Sequence, residues 1–263
     1  MLYNSIPVIM HHHVAPTDNE LNVFPDIFED QLRVLGTQGW HTLSGDEFLY
    51  FIQHPRERPR KCVLITFDDG FADNYVHAFP LLKKYTMKAM LFVATDFIDD
   101  QEVSRDAFLA RSHNEACALA STERRSEVMC TWKELREMEE SGAVDVQSHG
   151  VSHRTYAFMK AGNYGDVRED LSEGKAILEQ RLSKTVLHFA WPRGHYDREG
   201  ITIALDVGYR ALYTTERGAN SAENLHMISR LPVKCKKGKW LASRLPVYSS
   251  TFLSRIYLKL RTG

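Results

Sequence analysis

Short apolar runs recur along the whole chain and alternate with segments of helical periodicity. Each run has the length of a strand and is nearly continuous in apolar character, which is typical of strands buried on both faces. The predicted strands are residues 6–10, 62–66, 89–93, 143–147, 186–190, 210–214 and 227–233. Apolar residues spaced by three and four predict helices around residues 27–35, 79–85, 135–138, 167–182 and 201–207.

Strands that alternate with helices indicate parallel βα units, which pack either as a doubly wound sheet or as a barrel. About seven strands favour an α/β fold of the barrel type, a distorted or incomplete (β/α) barrel. The length of 263 residues suits one domain, residues 1–263. Residues 96–130 fit the alternation poorly, and we interpret them as an insertion. It forms either a lid or wall over the active site or a peripheral helical hairpin.

Composition narrows the function classes. The 33 Lys and Arg residues balance 34 Asp and Glu residues, so the net charge of -1 argues against a nucleic-acid binder with a broad basic face. No apolar run reaches the about 18 residues that a membrane span needs. The start of the chain does not have the pattern of a signal peptide, and the 4 cysteines are scattered singly. We therefore expect a cytoplasmic location.

Two adjacent carboxylates, Asp68 and Asp69, follow the predicted strand 62–66. Parallel α/β folds place catalytic groups at this end of a strand, and Gly70 permits a turn that brings both carboxylates to one site. One carboxylate would then bind a metal while the other takes a proton. The alternative is an Asp-Gly turn that caps a helix.

The pair His149 and His153 follows another predicted strand, 143–147. Two imidazoles four residues apart converge on one ion when the chain between them turns tightly, and neutral imidazole suits zinc and its first-row neighbours. Two histidines and one aspartate leave a coordination position open for water, as catalytic zinc sites do.

Two further strand ends carry candidate chemistry. The turn at residues 191–194 follows the strand 186–190, and its backbone N–H groups can form an oxyanion-binding wall. A turn that merely ends a strand over a core Trp is the alternative. The triplet His11, His12 and His13 ends the first predicted strand, and alternation along a strand turns His12 to the side opposite its neighbours.

These motifs together resemble the polysaccharide deacetylase family, the carbohydrate esterases of the NodB-homology type. The matching segments are residues 6–13, 66–70 (TFDDG), 148–153, 191–194, 208–214 and 229–233. The opening strand with its histidines is similar to the branch that deacetylates poly-N-acetylglucosamine. The resemblance implies a metal-dependent hydrolase that removes an N-acetyl group from an amino sugar in a polysaccharide, an oligosaccharide or a lipid-linked sugar, and releases acetate.

Carried over by position, the resemblance implies that Asp68 is the general base and His12 the general acid, with His13 next in line. Asp69, His149 and His153 would bind a divalent metal, zinc first and cobalt or nickel as alternatives. Elsewhere in the family the acid follows a Leu near the C-terminus, and His226 fits that pattern. The residues expected to contact the substrate are Trp191, Pro192, Arg193 and Tyr196.

Two departures from the family pattern bear on these roles. Ala190 stands where relatives have an Arg, so the group that orients Asp68 must come from elsewhere. Arg193 is unusual in its turn and either contacts an anionic substrate group or lies on the surface. Two alternative functions remain open: a hydrolase of another non-peptide amide, and a carbohydrate-binding relative without catalysis.

The segment at residues 250–261 is predicted to form an amphipathic helix. Its apolar stripe consists of Phe252, Leu253, Ile256, Tyr257 and Leu260. A basic run precedes it, so the helix would either pack against the barrel or rest on the inner membrane face as a peripheral contact. The sequence leaves the oligomeric state open.

Overall fold

Seven parallel strands form an open half-barrel, as the sequence predicts. The computed structural model describes residues 3–18, 21–154 and 164–262, with side chains to residue 260. The strands are β1 (Val8–His11), β2 (His13–Val14), β3 (Asn22–Val23), β4 (His41–Thr42), β5 (Cys62–Phe67), β6 (Ala89–Val93), β7 (Val144–Ser148), β8 (His188–Ala190), β9 (Ala211–Tyr213) and β10 (Leu231–Pro232). Along the sheet the order is β10-β1-β5-β6-β7-β8-β9, and β4 pairs with β5.

Helices α1 to α7 lie between strands, as the crossovers of a parallel sheet require, and α8 and α9 follow the last strand. They are α1 (Pro25–Thr37), α2 (Gly45–Gln53), α3 (Phe79–Lys84), α4 (His113–Ala120), α5 (Trp132–Glu140), α6 (Tyr164–Leu182), α7 (Arg198–Val207), α8 (Gly238–Tyr248) and α9 (Thr251–Thr262). The periodicity missed α2, which begins at a capping box made by Ser44 and Glu47. It also missed β4 and the small parallel pair β2–β3, which have only two residues each.

Strand β5 shows why the apolar runs are continuous. All six of its residues are buried. Val63, Ile65 and Phe67 pack against the helices on the outside, whereas Cys62 and Leu64 pack inside the half-barrel with Phe48 and Phe92. Both faces of the strand are therefore covered, as in other parallel sheets.

The segment from Ile228 to Pro232 almost closes the barrel. Ile228 forms a parallel bridge with Tyr213 of β9, and Leu231 pairs with Ile9 of β1 at the opposite edge of the sheet. The predicted strand 227–233 is thus regular only at Leu231–Pro232, because it crosses from one edge to the other.

His11 occupies an unusual place in this core. Its ring is 2% exposed and lies 5.5 Å from the ring centroids of both Phe28 and Phe67. Neither ring nitrogen makes a hydrogen bond of good geometry with the described residues, although the nearby backbone of Val233 opposes part of the shift in its pKa. Burial, with a smaller contribution from His12, lowers the pKa of His11 to about 3. His11 is therefore neutral in the folded protein.

We predict that His11 makes folding sensitive to acid. Below its ordinary pKa of 6.5 the unfolded chain binds a proton that the folded chain does not, so the free energy of unfolding falls as the pH falls. The slope is about 1.4 kcal/mol per pH unit for one such group. Replacing His11→Phe should reduce the slope by about this amount between about pH 6 and pH 4 in urea titrations. An unchanged slope, equal to that of the exposed-site control His54→Gln, would contradict the prediction.

Candidate active site

The two adjacent carboxylates of the TFDDG motif turn toward one cavity at the carboxyl edge of the sheet. β5 ends at Phe67, and Asp69 takes the left-handed backbone conformation with φ 76°. Gly70 follows with φ 85°, and a Cβ there would lie 3.0 Å from Val93. A side chain at position 70 would disfavour this tight turn. The turn directs the carboxylates of Asp68 and Asp69 into the cavity.

His149 is fixed by the strands on both sides of β7. Its amide donates to the carbonyl of Val93 at 2.8 Å, and its Nδ1 lies 2.7 Å from the carbonyl oxygen of Ala190. A carbonyl only accepts, so Nδ1 carries the proton and Nε2 presents a lone pair to the cavity. His153 reaches the same place because its own backbone is left-handed, with φ 49°.

Helix α6 supports the loop that carries both histidines. Gly174 contacts Gly150 so closely that a Cβ on Gly174 would lie 2.9 Å from the Gly150 carbonyl carbon. The carboxylate of Asp170 accepts from the amides of Val151 and Ser152 at 3.2 and 3.3 Å. Sequence reasoning missed both supporting residues, because neither belongs to a motif.

Asp69, His149 and His153 form a three-ligand cluster. One ligand atom from each lies within 4.8 Å of the others. Oδ1 of Asp69 is 3.1 Å from His153 Nε2 and 3.5 Å from His149 Nε2, yet these contacts lack hydrogen-bond geometry, and the buried oxygen has no hydrogen-bond partner among the described residues. An orphaned carboxylate oxygen facing two imidazole nitrogens fits a divalent first-row metal. Burial raises the pKa of Asp69, but the neighbouring histidines outweigh it when their Nε2 atoms are protonated, and they then hold that pKa well below its usual range.

Arg230 is the group that orients Asp68. Its guanidinium binds the carboxylate with two hydrogen bonds, 2.6 Å to Oδ1 and 2.9 Å to Oδ2, and its Nε donates to the carbonyl of Thr214 at 2.8 Å. The Arg230 side chain is fully buried. Burial opposes the charge on Asp68, but Arg230 outweighs it and lowers the pKa of that carboxyl. The sequence signal was a charged residue inside the apolar run 227–233.

The three consecutive histidines have three different surroundings. His11 lies in the core, whereas His12 lines the cavity, with Nε2 3.9 Å from Asp68 Oδ2. Burial lowers the pKa of His12, although Asp69 and Asp68 oppose the shift. His13 is buried against Phe71 and bonds Asp73 Oδ2 through Nδ1 at 2.6 Å. Of the three, His12 is the one beside the predicted base.

The predicted insertion contributes a wall of the cavity. Its helix α4 brings His113 and Cys117 to the lining, and Nδ1 of His113 lies 3.0 Å from His13 Nε2. Arg105 anchors the segment through an ion pair with Glu134, at 2.6 and 2.9 Å. Asp73, His13 and His113 thus form a polar chain that ends at the cavity. No sequence motif marked Asp73 or His113.

The predicted substrate contacts need correction. Of the four residues, only Arg193 lines the cavity. Trp191 is fully buried against Phe189, Pro192 is buried as well, and the Tyr196 hydroxyl donates to Glu216 at 2.9 Å. Trp191 and Pro192 pack into the core behind the turn, and the partly buried Tyr196 stacks on Trp191.

The turn at residues 191–194 offers one amide to a ligand. The amides of Trp191, Gly194 and His195 donate to backbone carbonyls. Arg193, with φ 56°, is thereby left as the candidate amide donor among the described residues of the turn.

The rival acid, His226, lies elsewhere. It is exposed in the turn that precedes Ile228, and it does not line the cavity. The cavity itself has a volume of about 430 Å³ and combines the Asp68 and Asp69 carboxylates with apolar contacts from Phe71 and Phe97. Such a volume suits a ligand of the size of a sugar residue.

Known proteins are similar to this chain in sequence and in fold. The protein YxkH of Bacillus subtilis (strain 168), named as a polysaccharide deacetylase, is 27% identical over 218 residues, which are 83% of this chain and 67% of that protein. A poly-β-1,6-N-acetyl-D-glucosamine N-deacetylase of Staphylococcus aureus (strain MSSA476) is 23% identical over 73% of this chain, which spans 60% of that enzyme.

A solved structure agrees with these relatives. The Streptococcus pyogenes deacetylase PplD, in complex with acetate, superposes with a TM-score of 0.75 at 25% identity, covering 92% of this chain and 98% of that one. The family model described as polysaccharide deacetylase matches residues 55–212. Because that match covers more than half of the sequence, the chain belongs to the polysaccharide deacetylase family.

Proposed function

We propose that this protein is a metal-dependent hydrolase that removes the acetyl group from an N-acetylated amino sugar. The observation that carries the proposal is the cluster of Asp69, His149 and His153 beside Asp68 and His12 in one cavity. Relatives named for polysaccharide and poly-N-acetylglucosamine deacetylation support the substrate class. The intact residue set argues against a binding relative that lacks catalysis.

Hydrolysis of an acetamide needs an activated water, a stabilised oxyanion and a proton for the leaving nitrogen. Asp69, His149 and His153 would hold the divalent metal. Zinc is the metal most consistent with a ligand set of two imidazoles and one carboxylate. When bound, such a metal polarises a carbonyl and lowers the pKa of water.

The residues of the chain supply the remaining steps. Asp68, kept ionised by Arg230, accepts the proton of the attacking water as the carbon–oxygen bond forms. The Arg193 amide stabilises the oxyanion. His12, in its protonated form, donates a proton to the nitrogen as the carbon–nitrogen bond breaks, and acetate and a free amine leave.

We expect Asp68→Asn to abolish acetate release while metal binding persists, because Asn does not accept a proton. A loss of about 10²–10⁴-fold in kcat is expected for a missing general base. Since Asn leaves Arg230 without its counter-charge, thermal unfolding and metal content must be measured on the same sample. The exposed Asp206→Asn is the control. Near wild-type kcat in a folded Asp68→Asn protein would contradict the role of base.

His149→Ala should weaken metal binding and acetate release together. It removes one of three ligand atoms, so a fall in zinc affinity of at least about 100-fold is expected in a competition titration with a chromophoric chelator. Wild-type protein treated with a chelator should lose activity and regain it with zinc or cobalt. Undiminished zinc affinity in the variant would exclude this cluster as the metal site.

His12→Gln and His226→Gln separate the two candidate acids. We expect His12→Gln to lower kcat by about 10²-fold or more, because the leaving amine loses its proton donor. His226→Gln, at an exposed site outside the cavity, should keep kcat. Acetate release from N-acetylglucosamine oligomers measures both, and the opposite result would assign the acid to His226.

A further inference from the structure

Helix α9 exposes an apolar ridge. Phe252, Ile256 and Leu260 are spaced four residues apart and are 69%, 42% and 79% exposed. Of the six large hydrophobic side chains that are exposed in the described part of the chain, three belong to this ridge. The predicted stripe is therefore split, because Leu253 and Tyr257 are half-buried. A continuous exposed ridge of this kind indicates an interaction surface.

A basic groove lies beside the ridge. It has a volume of about 200 Å³ and runs between α8, α9 and β10. Its basic lining residues are Arg217, Lys234, Lys236 and Arg244, and none of the described lining residues is acidic. Such a cluster of Lys and Arg side chains attracts a phosphate group.

Arg244 is the most constrained of these cations. Its guanidinium lies 5.7 Å from the Trp240 ring and 5.3 Å from the Tyr257 ring. Its buried Nε has no hydrogen-bond partner among the described residues. The two rings hold the guanidinium in place, so an anion in the groove would meet a pre-positioned donor.

Positive charge continues around the groove. The segment from Lys234 to Lys239 contains four lysines, all exposed, and α9 carries Arg255 and Lys259 but no acidic residue. The chain as a whole has a net charge of -1. The concentration of cations around α8 and α9 is thus a local feature of one face.

We propose that this face docks on an anionic lipid bilayer. A lipid phosphate would occupy the basic groove, and Phe252, Ile256 and Leu260 would enter the boundary between headgroups and acyl chains. Apolar residues beside basic ones match the two chemistries of that boundary, whereas a nucleic acid offers no partner for the ridge. Among the described helices, none is long and apolar enough to cross a membrane.

The basic groove lies toward the end of the fold that carries the candidate active site, whereas α9 begins beside Asn4, ahead of β1. Lys234 and Lys236 follow β10, and Arg217 follows β9, at the carboxyl edge of the sheet that also carries Asp68. The docking proposal does not depend on the proposed deacetylation, because no residue of the ridge or the groove lines the catalytic cavity.

Vesicle co-sedimentation of the full chain tests the proposal. We expect binding to phosphatidylcholine vesicles that contain about a third phosphatidylglycerol, weak binding to phosphatidylcholine alone, and a decrease with added salt. The variant Phe252→Ser/Ile256→Ser/Leu260→Ser should bind at least about ten-fold more weakly. Arg217→Gln/Lys236→Gln/Arg244→Gln should lose about five-fold per charge.

The controls distinguish docking from unfolding and from other occupants. Leu109→Ser removes an exposed hydrophobic side chain elsewhere and should bind as wild type does. All variants should keep the thermal midpoint of the wild type. Equal binding of wild type and the ridge variant, or no binding to anionic vesicles, overturns the proposal. Binding of inorganic phosphate alone, or a ridge-dependent dimer in sedimentation velocity without vesicle binding, overturns it as well.

Discussion

The ion pair between Arg230 and Asp68 joins the segment that almost closes the half-barrel to the end of β5, and the rest of the structure depends on this connection. Arg230 comes from the segment that almost closes the half-barrel, and its Nε bonds the carbonyl of Thr214 just after β9. Its guanidinium reaches the end of β5. Removing one partner of a buried pair costs about 3–5 kcal/mol, since the other charge is left without compensation. Barrel closure and the orientation of the carboxylate therefore depend on the same side chain.

The parallel sheet explains why residues distant in the sequence share one site. In the β1–β5 pair, His11 lies opposite Phe67, and in the β6–β7 pair, Val93 lies opposite Ser148. The residues that follow these strand ends, including Asp68 and His149, meet at one edge as a consequence of register. The sheet positions the candidate base and the ligands, while the segment at residues 96–130 supplies a wall of the cavity.

Much of this arrangement is predictable from the sequence. The apolar runs predict the half-barrel of seven parallel strands, since burial on both faces leaves a clear signal in a strand such as β6. Short elements such as β4 are not predicted, because two residues carry no periodicity. The turn at residues 191–194 shows a deeper limit: a motif marks where the chain turns, but packing decides which side chains face the cavity. Trp191 packs into the core, and of the four residues expected to contact the substrate only Arg193 lines the cavity.

The closure of the barrel also sets the size of the smallest working unit. The stretch that marks the family spans residues 55–212, yet His12 precedes it and Arg230 follows it. A fragment trimmed to that stretch would keep all three candidate metal ligands but lose β1, β10 and the counter-charge of Asp68. In such a fragment the sheet would begin at β5, and both of its edges would be exposed to solvent and to other chains. Unpaired edges promote aggregation. The boundaries of the family match therefore underestimate the length of chain that this fold needs in order to form on its own.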